Sequence, residues 1–101
     1  MSDADDFEWD GEKAASNYAK HGVSFDEAIK TFRDPFGIEE LDDRQDYGEE
    51  RLIRIGMANN RLLTVVYTER GEKTRIISAR GVTKYEQDEY YRQNAQGWDG
   101  F

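Results

Sequence analysis

Thr74 to Gly81 reads TRIISARG, two arginines bracketing an apolar run, with Arg70, Lys73 and Lys84 just outside it. A guanidinium suits phosphate because its planar fork donates two parallel hydrogen bonds to neighbouring oxygens. The setting is unusual, since 22 Asp/Glu outnumber 14 Lys/Arg and the formal charge is -8. The imbalance is uneven along the chain. Residues 1–50 hold 16 Asp/Glu against 5 Lys/Arg, and residues 51–101 hold 6 against 9. A uniformly acidic surface repels a polyanion at every approach. This chain can offer one locally positive face, unless its acidic half is a plain solubilising surface and its basic half an ordinary one.

Proton-transfer groups are scarce. His21 is the single histidine, so a two-histidine acid/base pair is impossible, and any other acid or base must be Tyr, Lys, Glu or a water. His21 either favours a helix C-terminus through the dipole or takes part in proton transfer. Cysteine is absent, which removes disulfides, thiolate metal sites and a cysteine nucleophile together. There is no H-E-x-x-H spacing, no phosphate-cradling glycine loop and no G-x-S-x-G elbow. The acidic run Asp42–Glu50 lacks the order of an EF-hand loop. No metal and no cofactor are expected.

The elements that must position these groups follow from local patterns. Phe7-Glu8-Trp9 alternates and reads as a short strand. Asp10 is a fitting N-cap for a helix from Gly11 to Lys20, with Ala14, Ala15 and Tyr18 on its buried face. Lys20-His21-Gly22 stops that helix, and the capping box Ser24 to Glu27 starts another. In the second helix Phe25, Ala28, Ile29 and Phe32 form one apolar stripe, ended by Asp34-Pro35. Strands are expected over Phe36–Leu41, Arg51–Met57, Arg61–Thr68 and Lys73–Arg80. Asn59-Asn60 suits a type I′ turn and Gly71-Glu72 a second hairpin turn. Thr83 to Glu86 is another capping box, opening a helix through about Tyr91. The order β-α-α-β-β-β-β-α predicts an α+β fold with helices packed on an antiparallel sheet. At 101 residues the chain fits a single domain, with a core over about 6–92 and an aperiodic tail over 93–101. With no apolar run of membrane length and no signal-peptide pattern, the expected compartment is the cytoplasm.

The segments FEWD (7–10), KHGVSFDEA (20–28), DP (34–35), IG (55–56) and RIISAR (75–80), with Glu86, Tyr90 and Tyr91 following, resemble the BrnT toxin family of type II toxin–antitoxin systems. The likeness runs over roughly residues 6–92. It implies a RelE-like fold, metal-independent endoribonuclease activity on mRNA, and neutralisation by a BrnA-type antitoxin. It also implies that operator DNA is bound only through the antitoxin.

Cleaving RNA without a metal needs help in deprotonating the 2′-OH, cations at the phosphorane-like transition state, and a proton for the leaving 5′-oxygen. For the phosphate charge the candidates are Arg80 and Arg70, for proton transfer Tyr91 or His21, and for holding the RNA backbone Lys20, Arg75 and Lys84. Each has a plainer reading. Arg70 and Lys73 flank a hairpin tip, where charges are commonly just solvated. Arg80 ends a buried strand and suits either a phosphate or a salt bridge to a helix carboxylate. Glu86 is the acid of a capping box or a base. Of Tyr90 and Tyr91, 100° apart on a helix, one is expected to pack and the other to stay free.

Strand parity adds a constraint. Arg75 and Arg80 are an odd number apart, so on a regular strand they face opposite ways unless a bulge intervenes. A Gly71-Glu72 turn would pair Arg75 with Thr68 and Arg80 with Leu63. The alternative to an enzyme is a non-catalytic RelE-like module whose basic face grips an antitoxin or another acidic partner.

Overall fold

The computed structural model describes residues 6–43 and 48–96. The opening acids up to Asp5, the middle of the acidic loop and the end of the tail, with Trp98 and Phe101, lie outside the described residues. Within them the order is β1 (Phe7–Glu8), α1 (Gly11–His21), α2 (Phe25–Ala28) continued by a 3-10 segment (Ile29–Arg33), β2 (Ile38–Leu41), β3 (Leu52–Ala58), β4 (Arg61–Arg70), β5 (Lys73–Gly81) and α3 (Lys84–Gln96). This is the α+β pattern expected.

The five strands form one sheet in the order β1-β5-β4-β3-β2. The four long strands are antiparallel neighbours, but β1 runs parallel to β5, with Phe7 opposite Thr74 and Glu8 opposite Arg75. The expected all-antiparallel sheet is therefore mixed. The reason is topological: α1 and α2 carry the chain away from β1, so β1 meets its partner without a hairpin between them.

The sheet is covered on both faces. One face holds Leu63, Val65, Tyr67, Ile76 and Ala79, packed against Val23, Phe25 and Ala28, with Phe7, Trp9, Ile29 and Phe32 around them. The apolar stripe expected of the second helix is thus its buried face, although a 3-10 turn tightens its last residues. The other face buries Ile55 and Leu62 under Tyr90 of α3. Tyr90 is 4% exposed and its neighbour Tyr91 53%, the division expected from their 100° offset.

Several boundaries are set by local chemistry. The Asp10 side chain accepts from the Glu12 and Lys13 amides, and Gly22 ends α1 at φ 69°, the left-handed region where glycine meets no Cβ penalty. The Ser24 hydroxyl caps the Glu27 amide at 3.0 Å, but Glu27 does not complete the box. Its carboxylate instead takes both prongs of the Arg61 guanidinium, each at 2.9 Å. At the Asn59-Asn60 turn only Asn59 takes a positive φ, 57°, whereas type I′ requires both residues to do so. β2 begins at Ile38 rather than Phe36 because Asp34-Pro35 makes a turn in which the Phe36 amide donates to the Asp34 carboxylate at 2.9 Å.

Asp34 ties three elements together. The same carboxylate accepts the Met57 amide of β3 at 2.8 Å and the Tyr90 hydroxyl of α3 at 2.6 Å. Burial pushes the Asp34 pKa up, but these bonds outweigh it and hold the carboxyl below its ordinary value. Nearby, β3 passes so close to the 3-10 segment that a Cβ on Gly56 would sit 3.0 Å from the Thr31 backbone oxygen.

Candidate functional site

β5 organises the cations. Its ladder with β4 pairs Arg75 with Thr68 and Arg80 with Thr64, and slips by one residue between Val66 and Tyr67. The residue passed over is Ile77. Such a bulge resets the two-residue alternation of a strand. Thr64 and Thr68 are an even number apart on β4, so Arg75 and Arg80 lie on the same face of the sheet. The regular-strand expectation of opposite faces, and of Leu63 as the partner of Arg80, is corrected by that one extra residue.

The outer side of β5 meets β1 only at Thr74 and Arg75. Farther along, a side chain replaces a strand. The Asn17 carboxamide donates to the Ala79 carbonyl at 2.8 Å and accepts the Ala79 amide at 3.1 Å, and it also donates to the Val23 carbonyl at 3.0 Å. This explains why α1 buries Asn17 while Tyr18 stays 59% exposed, against the expected face of Ala14, Ala15 and Tyr18. Of those three only Ala14 packs on the core. An exposed strand edge needs its amides and carbonyls satisfied, and asparagine offers one donor and one acceptor group with the spacing of a peptide.

Beside this junction lies a cleft of about 230 Å³. Lys13, Ser16, Lys20 and His21 of α1 form one wall, and Ile77 and Ser78 of β5 form the other. Lys13, Ser16, Asn17 and Lys20 follow i, i+3, i+4 and i+7 on the helix. That spacing is visible in the sequence, but it joins polar residues, and an apolar stripe, the usual mark of a helix's packed face, does not include Lys13 or Ser16.

Arg80 is two residues from Ser78 on the same strand face, about 7 Å along a strand. Its guanidinium is bound by Glu86 through two bonds of 2.8 and 2.9 Å. Glu86 also accepts from the Thr64 hydroxyl at 2.9 Å and the Thr83 amide at 2.8 Å, while the Thr83 hydroxyl accepts the Glu86 amide at 3.2 Å. The expected capping box is complete, and its acid is at once the salt-bridge partner of Arg80. Burial pushes the Glu86 pKa up, but the Arg80, Thr83 and Thr64 bonds prevail and hold it at about 2.

The other sequence candidates are dispersed. Arg75 pairs with Glu8 of β1 at 3.0 Å. Arg70 lies exposed at the β4–β5 tip, six positions along β4 from the partner of Arg80, or about 20 Å. One phosphate cannot bridge Arg70 and Arg80 over that distance. Lys84 is 80% exposed and pairs with Asp88 one turn on. Tyr91 sits on α3 with its ring edge-on to Tyr90, 5.1 Å between centroids. The structure thus gathers Lys20 and His21 in one cleft, sets Arg80 close by and leaves Arg70 apart. Among the described residues, no group of three or more His, Cys, Asp or Glu side chains is arranged to hold a metal ion, and no helix is long and apolar enough to cross a membrane.

A family model described as the ribonuclease toxin BrnT of type II toxin–antitoxin systems matches residues 9–86. The chain belongs to the BrnT toxin family. A comparison with curated proteins finds no match. The BrnT match opens at Trp9, beside the Asp10 cap, and closes at Glu86, the partner of Arg80, so it spans the whole arrangement just described. Membership in the BrnT family makes the chain a type II toxin of ribonuclease type and implies an antitoxin partner. Gly22, Ser24, Asp34 and Gly56 are positions where the fold needs a left-handed residue, a cap, a three-way acceptor and a close approach.

Proposed function

We propose that this toxin is a metal-independent endoribonuclease that cleaves mRNA at the β5 edge and is neutralised by a BrnA-type antitoxin. In this reading it is a single RelE-like domain working in the cytoplasm, and operator DNA is reached only through the antitoxin. The observation that carries the reading is the cleft in which Lys13, Lys20 and His21 face Ser78, with Arg80 on the adjoining strand face. The lysines supply the charge that draws an RNA backbone into the cleft. His21, as neutral imidazole, accepts the 2′-OH proton while the 2′-oxygen bonds to phosphorus and the bond to the 5′-oxygen breaks. The departing oxygen takes a proton from the imidazolium, from Tyr91 or from water. Arg80 exchanges the Glu86 carboxylate for a phosphate oxygen pair, since both fit the same planar fork.

The test is RNA degradation by the purified protein in EDTA. His21→Asn and Arg80→Ala should each lose most of the activity while keeping the far-UV circular dichroism of the parent. Intact RNA at high protein excess would overturn the nuclease reading.

One observation favours the non-catalytic alternative. Arg80 and Arg75 both already hold carboxylates, from Glu86 and Glu8. A module of that kind would leave RNA intact and grip its antitoxin or another acidic partner with its basic face, so that Arg80→Ala would weaken that grip.

A further inference from the structure

Toward the opposite edge of the sheet, α3 and the β2–β3 pair enclose a second cleft, of about 180 Å³, whose lining reaches Thr83 and Glu86 at the start of α3. Its chemistry is the reverse of the first. Ile38, Ile53 and Ile55 form an apolar floor, and Tyr85 and Glu89 of α3 stand along the wall. Tyr85 is 72% exposed, a large ring held in solvent at the edge of an apolar floor. Glu40 projects from the same strand face as Ile38, exposed and with no ionic partner among the described residues. The described residues between 38 and 55 carry six Asp/Glu and two Arg, so the field around the cleft is negative. RNA is repelled from such a surface. A protein segment with apolar side chains flanked by Lys or Arg is attracted to it and has somewhere to bury them.

We infer that this α3–β2–β3 cleft is the docking surface for the antitoxin, taken as a segment that inserts apolar side chains between Ile53 and Tyr85 and sets basic residues beside Glu40. The inference rests on the family's antitoxin partnership and not on the ribonuclease chemistry. It places the two partners at opposite edges of the sheet: the polyanion at β5, where the helix supplies lysines, and the protein at β2, where the strand supplies glutamates. It also answers how a chain with an excess of eight acids serves an anionic substrate. Six of the 22 Asp/Glu lie in this stretch, where a basic partner docks.

The test uses the full chain and its cognate BrnA-type antitoxin. Tyr85→Ala and Glu40→Lys alter exposed side chains outside the catalytic arrangement. Each should weaken antitoxin binding about tenfold or more in calorimetry, as removal of an interface anchor or reversal of a facing charge does. Backbone amide shifts on antitoxin titration should include Ile38 and Ile53 on the cleft floor, and titration with a short single-stranded RNA should leave those two amides unmoved, whereas the start of α3 beside Glu86 responds to either partner. Lys20→Ala should keep antitoxin affinity. Unchanged affinity in both cleft variants, with shifts confined to α1 and β5, would overturn the inference, as would RNA-induced shifts at Ile38 and Ile53 on the cleft floor. So would a concentration-dependent dimer of the free toxin that Tyr85→Ala abolishes. RNA cleavage assayed in the same variants is a separate readout, so failure of the nuclease reading would show as intact RNA with the antitoxin result unaffected.

Discussion

The Glu86 carboxylate fills both prongs of the Arg80 guanidinium, at 2.8 and 2.9 Å, while capping α3 through the Thr83 amide at 2.8 Å. One acid therefore anchors the helix and holds the cation best shaped for phosphate. Glu86→Gln should destabilise the fold by about 1–2 kcal/mol, the solvent-screened worth of a partly buried pair together with weakened cap bonds. If Arg80 binds phosphate, the same variant should bind a short single-stranded RNA more tightly, because the competing carboxylate is gone. Fluorescence anisotropy showing equal or weaker binding would count against a phosphate role for Arg80.

The same pair sets an acid limit. Glu86 has a folded pKa of about 2 against 4.5 for the free carboxyl. A depressed carboxylate pKa contributes stability that is fully present above 4.5 and is lost as pH falls from there toward 2. Asp34 and Glu27 are lowered as well and act in the same direction. Urea unfolding between pH 6 and 3 should show falling stability, with a shallower slope in Glu86→Gln than in the parent. Parallel slopes would mean that Glu86 does not titrate in this range.

Asn17 stands in for a missing strand at Ala79. Asn17→Ala removes three hydrogen bonds to buried backbone groups and should cost roughly 2–3 kcal/mol. Asn17→Asp should cost at least as much, since it keeps an acceptor for the Ala79 amide but sets a carboxylate against the Ala79 and Val23 carbonyls. Hydrogen exchange at the Ala79 amide reads the effect directly, and full retention of its protection in Asn17→Ala would contradict the strand-substitute role.

Tyr90 closes α3 onto the sheet through Asp34. Tyr90→Phe keeps the ring on Ile55 and Leu62 and removes only the 2.6 Å bond, so a loss of about 1 kcal/mol is expected. Gly56→Ala should cost more, about 1–3 kcal/mol, because the added Cβ meets backbone at Thr31 and not the end of a flexible side chain. Thermal unfolding of the two variants side by side checks the order.

Much was legible from residue types alone. The caps at Asp10, Ser24 and Thr83, the glycine stop at Gly22, the stripe of Phe25, Ala28, Ile29 and Phe32, and the four long strands all follow from nearest-neighbour chemistry, which acts within a turn or a hairpin. So do the excess of cations around β5 and the α+β class.

What neighbours in sequence do not encode was decided by the tertiary structure. The parallel pairing of β1 with β5 joins residues 67 positions apart. The bulge at Ile77 is one residue in length, yet it moves Arg80 from the face opposite Arg75 to the same face, because side-chain direction in a strand alternates with every residue. Asn17 reads as an ordinary polar helix residue until β5 presents an edge for it to complete, and only that contact makes Lys13, Lys20 and His21 neighbours of Ser78. By itself, then, the sequence determined which side chains were available for chemistry and which short elements carry them. The packing of distant elements decided which of them meet: His21 with Lys20 across from β5, Arg80 with Glu86, and Arg70 about 20 Å away at the hairpin tip.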